Sequence, residues 1–156
     1  MRKISSVTLD SMIFVYLFEE DKRFIKKIKP LFENIENGRL KALTSIISPL
    51  EVLSAPKLEK VPEKRTAFRR FFQKTPNLVV QALSWEVMEK AAEMRRRHFS
   101  LRTPDSIQLA TAVVTKSQLF ITNDEKLKKL RIMNLTISLV NELNIQKYSK
   151  ISRSSS

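Results

Sequence analysis

Residues 100–128 read SLRTPDSIQLATAVVTKSQLFITNDEKLK, and they predict the two elements around which the fold is built. The TPD triplet at 103–105 is typical of the first turn of a helix, and about three turns of small and apolar residues follow it. The apolar run LFIT at 119–122 then indicates a strand. The stretch therefore predicts a helix and then a strand, with Asp105 at the start of the helix and Asp124 just beyond the strand.

Two further acids stand at similar junctions. Asp10 ends the run VTLD and precedes a Ser that begins an apolar segment, and Glu51 ends the run ALTSIISPLE. Each run predicts a strand that leads into a helix. The start of the second of these helices is ambiguous, because Ser45 can cap it, whereas Ser48 and Glu51 match a capping box with Pro at the first helical position.

Five strands are predicted, and helical segments rather than tight turns separate them. An amphipathic pattern between the first two strands indicates a helix that Pro30 should kink or split. Strands alternating with helices favour a parallel sheet, and the single Gly speaks against hairpins. We therefore expect an α/β fold, a three-layer α/β/α sandwich with a mostly parallel five-stranded sheet, whose strands lie at 4–9, 41–44, 78–82, 119–122 and 135–140.

The four acids are expected to meet at one edge of this sheet. Ligands of parallel sheets collect beyond the carboxyl ends of the strands, where Asp10, Glu51 and Asp124 are predicted, and the helix that begins near Asp105 should return the chain there. Each acid also has a purely structural explanation as a helix cap or first-turn residue. If the four converge, their repulsion requires a cation, and oxygen ligands without His or Cys favour Mg²⁺ or Mn²⁺.

Composition limits the partners. The chain has 156 residues, with 29 Lys and Arg against 16 Asp and Glu, so its formal net charge is +13. This charge favours nucleic acid, and an acidic protein or anionic lipid stays open. Zero Cys excludes disulfides, thiolate zinc sites and a Cys nucleophile.

The short apolar segment at 12–18 lacks the features of a signal peptide, so we expect a cytoplasmic protein with no membrane partner. Residues 1–146 are predicted to form one domain, and 147–156 a basic, Ser-rich mobile tail.

The stretches LDSMIFVYLF, TSIISPLEVL, TPDSIQLATA and LFITND, in this order, resemble the PIN-domain nucleases of the VapC toxin type. The resemblance covers roughly residues 4–140. In that family an Asp ends the first strand, a Glu lies in the helix after a Ser-rich strand end, an Asp opens a later helix, and a T-x-D follows the fourth strand. The resemblance assigns the acidic set to Asp10, Glu51, Asp105 and Asp124, and the supporting polar positions to Ser11, Ser45, Thr122 and Asn123. Thr103 is a further candidate for holding metal-bound water.

This resemblance implies a toxin of a toxin–antitoxin pair, which cleaves RNA with Mg²⁺, forms a homodimer and is inhibited by a small antitoxin protein. Two alternatives stay open. One is a PIN module that binds RNA or a partner without cutting, and the other is a structure-specific DNA nuclease, because carboxylate and metal chemistry does not itself distinguish the sugar.

Phosphate contacts are expected from basic residues near the ends of elements that border the site. Their structural explanation is favourable charge at a helix C-terminus together with ordinary solubility. The candidates are Arg95, Arg96, Arg97, Lys126, Lys128 and Lys129.

Overall fold

A five-stranded sheet forms the middle of the protein in the computed structural model, which describes residues 3–144 and Tyr148. Its strand order is β3-β2-β1-β4-β5, and every strand pairing is parallel. The predicted α/β fold is therefore confirmed, with a sheet that is parallel throughout. The strands are β1 Ser6–Leu9, β2 Lys41–Ser45, β3 Leu78–Gln81, β4 Leu119–Thr122 and β5 Thr136–Leu139.

Helices make the crossover connections that parallel strands require. Within the described part of the chain, each helix is too short or too polar to cross a bilayer. The α-helices are α1 Ser11–Phe18, α2 Ile25–Glu36, α3 Ile47–Leu53, α4 Pro62–Lys74, α5 Trp85–Arg97, α6 Thr103–Val114 and α7 Glu125–Lys128. Short 3₁₀ turns lie at Pro56–Leu58 and Val140–Glu142.

The two faces of the sheet bury separate apolar clusters, because successive side chains of a strand point to opposite faces. Leu9 and Ile121 pack in one cluster with side chains of α1, α2 and α4. Phe120 and Ile137 pack in the other cluster with side chains of α5, α6 and α7. Each cluster fills the space between one face of the sheet and the helices that cover it. β1 and β4 are paired neighbours within the sheet, so their carboxyl ends lie at the same edge.

The structure corrects two local predictions. Pro30 lies inside α2 without splitting it, and the Asn34 side-chain amide donates to the Pro30 carbonyl oxygen at 2.8 Å. The Ser48 capping box does not form, since α3 already begins at Ile47 and Ser48 is fully buried within it. The Ser45 hydroxyl instead accepts a hydrogen bond from the Ile47 backbone N–H at 3.2 Å, as the other interpretation of this segment expected.

The predicted domain boundary at residues 146 and 147 and most of the predicted tail lie outside the described residues. Tyr148 is the part of that tail that the structure describes. Its side chain is buried, and its backbone forms a parallel bridge with Ile4.

Candidate active site

Asp10 lies directly after β1 at the carboxyl edge of the sheet and is 9% exposed. Its backbone N–H donates to the Ile121 carbonyl oxygen of β4 at 2.9 Å, which extends the pairing between the two strands. Its Oδ1 accepts from the Ser11 backbone N–H at 2.8 Å, and its Oδ2 accepts from the Thr122 hydroxyl at 2.7 Å. Each carboxylate oxygen is thus held by one donor from a neighbouring element.

The pKa of Asp10 is raised from 3.8 to about 6. Burial is the main cause, because removal from water penalises the charged form. The hydrogen bonds from Thr122 and Ser11 oppose the rise, and the negative charges of Asp105 and Glu51 add to it. The charges of two further acids therefore reach Asp10, as expected for side chains that lie at a common edge of the sheet.

Glu51 is tied to the start of α1 through Ser11. The Ser11 hydroxyl donates to Glu51 Oε1 at 2.9 Å, although Glu51 lies on α3 and is exposed to solvent. The same hydroxyl accepts from the Gln108 side-chain amide at 3.2 Å. A polar chain therefore runs from α6 through α1 to an acid on α3.

Gln108 is the centre of this buried polar network and is only 1% exposed. Its Nε2 also donates to Ser48 Oγ at 2.7 Å, and its Oε1 accepts from the Ser45 backbone N–H at 3.3 Å. Ser48 in turn shares a 2.5 Å hydrogen bond with Thr44 at the end of β2. Gln108 thus fixes α6 against the end of β2, directly beneath the acids.

Asp105 lies in the first turn of α6 and is also 9% exposed. Its Oδ2 accepts from Arg102 Nε at 3.1 Å. The pKa of Arg102 is raised, first by this hydrogen bond and by the charge of Asp105, and further by the charges of Asp124 and Glu51. Arg102 is therefore the cation that connects the fourth acid, Asp124, electrostatically to the others.

Asp124 lies next to Thr122 and also caps α7, the structural role that its position in the sequence allows. Its Oδ1 accepts from the Lys126 backbone N–H at 2.8 Å and caps α7. Its own backbone N–H donates to the Thr122 hydroxyl oxygen at 3.1 Å. Thr122 therefore bridges Asp10 and Asp124, so the end of β4 holds both acids in place.

The remaining polar candidates differ in where they lie. Ser45 is buried at the end of β2 and contacts Gln108 through its backbone. The Asn123 side chain points away from the acids and donates to the Tyr16 hydroxyl at 3.0 Å. Thr103 is exposed, and its carbonyl oxygen accepts from the Ser106 hydroxyl at 2.7 Å.

The basic candidates lie on the surface, with one partial exception. Lys128 is half-buried, donating to the Ile137 carbonyl oxygen at 2.7 Å and lying 3.1 Å from Glu142. Arg95 donates through Nε to the Leu101 carbonyl oxygen, and Arg97 pairs with Glu93. The exposed members of the set are Arg95, Arg96, Arg97, Lys126 and Lys129.

The donor set fits a hard divalent cation in kind, since it consists of carboxylate oxygens whose charges disfavour one another. Among residues 3–144 and 148, no three Asp, Glu, His or Cys side chains already stand close enough together to hold a metal ion. Arg102 occupies one oxygen of Asp105 instead. The acids of the described residues therefore lie near the same edge of the sheet, but they are not yet close enough together to coordinate one ion.

Gln108 and Arg102 are the two residues of this site that sequence reasoning missed. Both stand close in sequence to Asp105; Gln108 contacts Ser11, which is distant along the chain, whereas Arg102 contacts Asp105 itself. Two signals in the sequence were available. Gln108 is a polar residue among the apolar positions of α6, and Arg102 stands directly before the TPD triplet.

A family model described as "PIN domain" matches residues 7–133. This span includes the four acids and all the strands except β5. A comparison with curated protein sequences finds no match.

Several solved structures share the fold. A toxin–antitoxin complex from Klebsiella pneumoniae is 22% identical with a TM-score of 0.60, over 83% of this chain and 95% of that chain. VapBC2 from Rickettsia felis, bound to a DNA fragment from its promoter, is 19% identical with a TM-score of 0.64, over 86% and 98%. FitAcB from Neisseria gonorrhoeae is 12% identical with a TM-score of 0.65, over 88% and 99%. At these identities the likeness shows a common fold.

Proposed function

The chain belongs to the PIN domain family, whose members are generally nucleases, and from this premise we propose that it is a metal-dependent endoribonuclease. The substrate is RNA, the cofactor is Mg²⁺ or Mn²⁺, and the bond that breaks is a phosphodiester. We propose that residues 1–146 form the nuclease domain. The acids that carry the reaction are Asp10, Glu51, Asp105 and Asp124.

The hydrogen bonds that tie Asp10 to Glu51 through Ser11, and to Asp124 through Thr122, are the observation that carries this proposal, and the raised pKa of Asp10 agrees with it. A buried carboxylate with two further negative charges nearby is unfavourable in the ionised form unless a cation offsets the repulsion. Perturbed titration of this kind clusters at functional sites, and here it coincides with the sheet edge where parallel folds bind ligands. If Asp10 served only as a helix cap, the nearby acids from other elements would have no role.

Asp10 and Asp105 are the principal metal anchors, and Glu51 and Asp124 complete the site directly or through water. When bound, a hard divalent cation supplies the positive charge that polarises the phosphodiester and favours ionisation of water. The donor set contains oxygen alone, which suits Mg²⁺ or Mn²⁺ rather than zinc.

The chain's own groups hold this arrangement in place. Thr122 and the Ser11 backbone fix the two oxygens of Asp10, so the carboxylate has one preferred orientation. The Ser11 hydroxyl holds Glu51, whose exposure suits a role in positioning or deprotonating the attacking water. The exposed Arg and Lys candidates guide the phosphate backbone of the RNA.

The biological setting that we propose is a toxin of a toxin–antitoxin pair. The solved structures with this fold include toxin–antitoxin, VapBC and FitAcB proteins, which supports an antitoxin protein as partner. We also propose that the protein acts in the cytoplasm as a homodimer. The net charge of +13 supports a polyanionic substrate.

Cleavage of labelled single-stranded RNA by purified protein tests the proposed activity. Cleavage is expected with Mg²⁺ or Mn²⁺ and is expected to stop with EDTA or with Asp10→Asn. Asp21→Asn is the matched control, because Asp21 is a half-buried acid that is paired with Arg23 and lies outside the acidic set. A competing DNA substrate of the same sequence should not reduce the rate.

Cutting that persists in EDTA, or in Asp10→Asn, would contradict the proposal. Binding of RNA without product at any metal concentration would instead favour the non-catalytic module. Preferred cleavage of DNA would favour the DNA nuclease. Expression in cells provides a second readout, since growth arrest and RNA loss should both depend on the Asp10 carboxylate.

A further inference from the structure

Arg102 is paired with one of the four acids. It occupies the cap position of α6, and its Nε donates to Asp105 Oδ2 at 3.1 Å. Its side chain is 73% exposed, whereas that of Asp105 is 13% exposed. The charges of Asp124 and Glu51 also act on this guanidinium. One arginine therefore contacts one acid of the set and is influenced by the charges of two more.

Like the pairs of Arg23 with Asp21 and of Arg97 with Glu93, this ion pair joins near neighbours along the chain, but those two pairs involve none of the four acids. Within residues 3–144 and 148, Arg102–Asp105 is the ion pair that includes a member of the acidic set. The position of Arg102 therefore puts positive charge where the proposed nuclease needs a metal ion.

A guanidinium and a divalent cation compete for the same oxygen. Arg stays charged at all physiological pH values, so it cannot yield its place by losing a proton. It can yield only by moving, and its high exposure leaves it room to do so. Its planar fork carries further N–H donors beside the one that Asp105 uses, and this fork matches the geometry of a phosphate group.

We propose that Arg102 is the built-in counter-ion of the acidic site, which a divalent cation displaces from Asp105, and that the displaced guanidinium then binds a phosphate of the substrate. The inference rests on the proposed nuclease function and adds a residue to it. Arg102 thus has two successive partners, the carboxylate when metal is absent and the phosphate when metal is bound.

Calorimetric titration with MnCl₂ tests the first half. Removing the resident charge should tighten Mn²⁺ binding by Arg102→Gln roughly two- to fivefold, the scale of an exposed ion pair. Arg102→Lys keeps the charge and should bind close to wild type. Arg23→Gln is the matched control, because the Arg23 side chain is 72% exposed and paired with an acid outside the site. It should leave the affinity unchanged.

Fluorescence anisotropy with a 2′-O-methyl RNA oligonucleotide, which resists cleavage, tests the second half. With Mn²⁺ present, Arg102→Gln should weaken RNA binding roughly three- to tenfold, as loss of one charge-assisted contact open to solvent predicts. Without metal the loss should be smaller, since Asp105 then holds the guanidinium. The metal dependence of the Arg102 contribution is the result that a merely structural role would not produce.

The outcomes separate this inference from the proposed function. Equal or weaker Mn²⁺ binding by Arg102→Gln would overturn the counter-ion role while leaving the nuclease proposal intact. An RNA-binding loss that is the same with and without Mn²⁺ would overturn the exchange of partners. No Mn²⁺ binding by wild type or variants would overturn both proposals together.

Discussion

The Ser11 hydroxyl donates a hydrogen bond to Glu51 Oε1 across 2.9 Å, although 40 positions separate the two residues in the sequence. The Ser11 backbone N–H donates to Asp10 Oδ1 at the same time. One residue at the start of α1 therefore orients two acids that come from different strand-to-helix junctions. The relationship makes Ser11 a positioning residue whose role can be measured separately from that of the acids.

Ser11→Ala should lower kcat for RNA cleavage about tenfold, because Glu51 loses the donor that holds it, while KM should change little. Ser11→Thr retains a hydroxyl and should restore most of the rate. The free energy of unfolding should fall by about 1–3 kcal/mol, because the buried Gln108 side-chain amide also loses an acceptor. Steady-state kinetics and urea denaturation provide these quantities. An unchanged kcat in Ser11→Ala would show that Glu51 needs no such support.

Gln108→Leu should cost both stability and activity. Leu has a similar size but leaves the Ser45 backbone N–H without its partner, and an unsatisfied buried group costs about 1–3 kcal/mol. The loss of the contact with Ser11 should also lower kcat. Urea denaturation gives the first quantity, and the cleavage rate per folded molecule gives the second.

Gln118→Leu is the control for that experiment. Gln118 also binds backbone N–H groups through its side-chain oxygen, but its partners Ser5 and Ser6 lie at the opposite, amino-terminal edge of the sheet. Its replacement should lower stability while leaving the cleavage rate per folded molecule unchanged. Equal effects of the two substitutions on kcat would remove the special role of Gln108.

Asp10 should make the stability of the metal-free protein depend on pH. Its folded pKa of about 6 lies above the ordinary value of 3.8, so the folded state binds the proton more tightly than the unfolded state does. The free energy of unfolding should therefore fall as pH rises between these two values, and it should stay reduced above pH 6. The full effect corresponds to roughly 3 kcal/mol as an upper value.

Asp10→Asn removes this penalty and preserves an acceptor for the Ser11 N–H. In EDTA the variant should be more stable than wild type at pH 8, and the difference should shrink towards pH 4. Urea denaturation at both pH values measures it. Added Mg²⁺ should stabilise wild type at pH 8 far more than the variant, because it replaces the missing positive charge. A stability difference that does not change with pH would contradict the raised pKa.

The sequence predicted the fold and the edge at which the acids meet, because both depend on local patterns. Apolar runs such as 119–122 identify buried strands, and helical segments between them dictate parallel pairing. Asp10 and Asp124 stand directly at strand ends, so their edge follows from the topology. The fully parallel sheet and the match to the PIN domain confirm the predicted fold.

The partners of individual side chains could not be predicted, since they depend on contacts across the fold. Gln108 and Ser11 are 97 positions apart, and nothing in their immediate sequence pairs them. Ser48 illustrates the reverse error, because a good local capping pattern was overridden by burial against Thr44 and Gln108. Arg102 was missed although its partner Asp105 lies only three positions further along the chain.

Lys126 and Lys128 should respond differently to substitution, although they lie two positions apart on α7. Lys126 is exposed, whereas Lys128 contacts the Ile137 carbonyl oxygen and Glu142. If Lys126 contacts phosphate, Lys126→Gln should weaken binding of single-stranded RNA and reduce the slope of log K against log salt by about 0.7. Lys128→Gln should instead lower the melting temperature by a few degrees and leave that slope nearly unchanged. Anisotropy titrations from low to moderate salt, with melting curves of both variants, measure the contrast. Identical salt slopes for wild type and Lys126→Gln would exclude Lys126 from the RNA contact and restrict the phosphate-binding candidates to Lys129 and the arginines of α5.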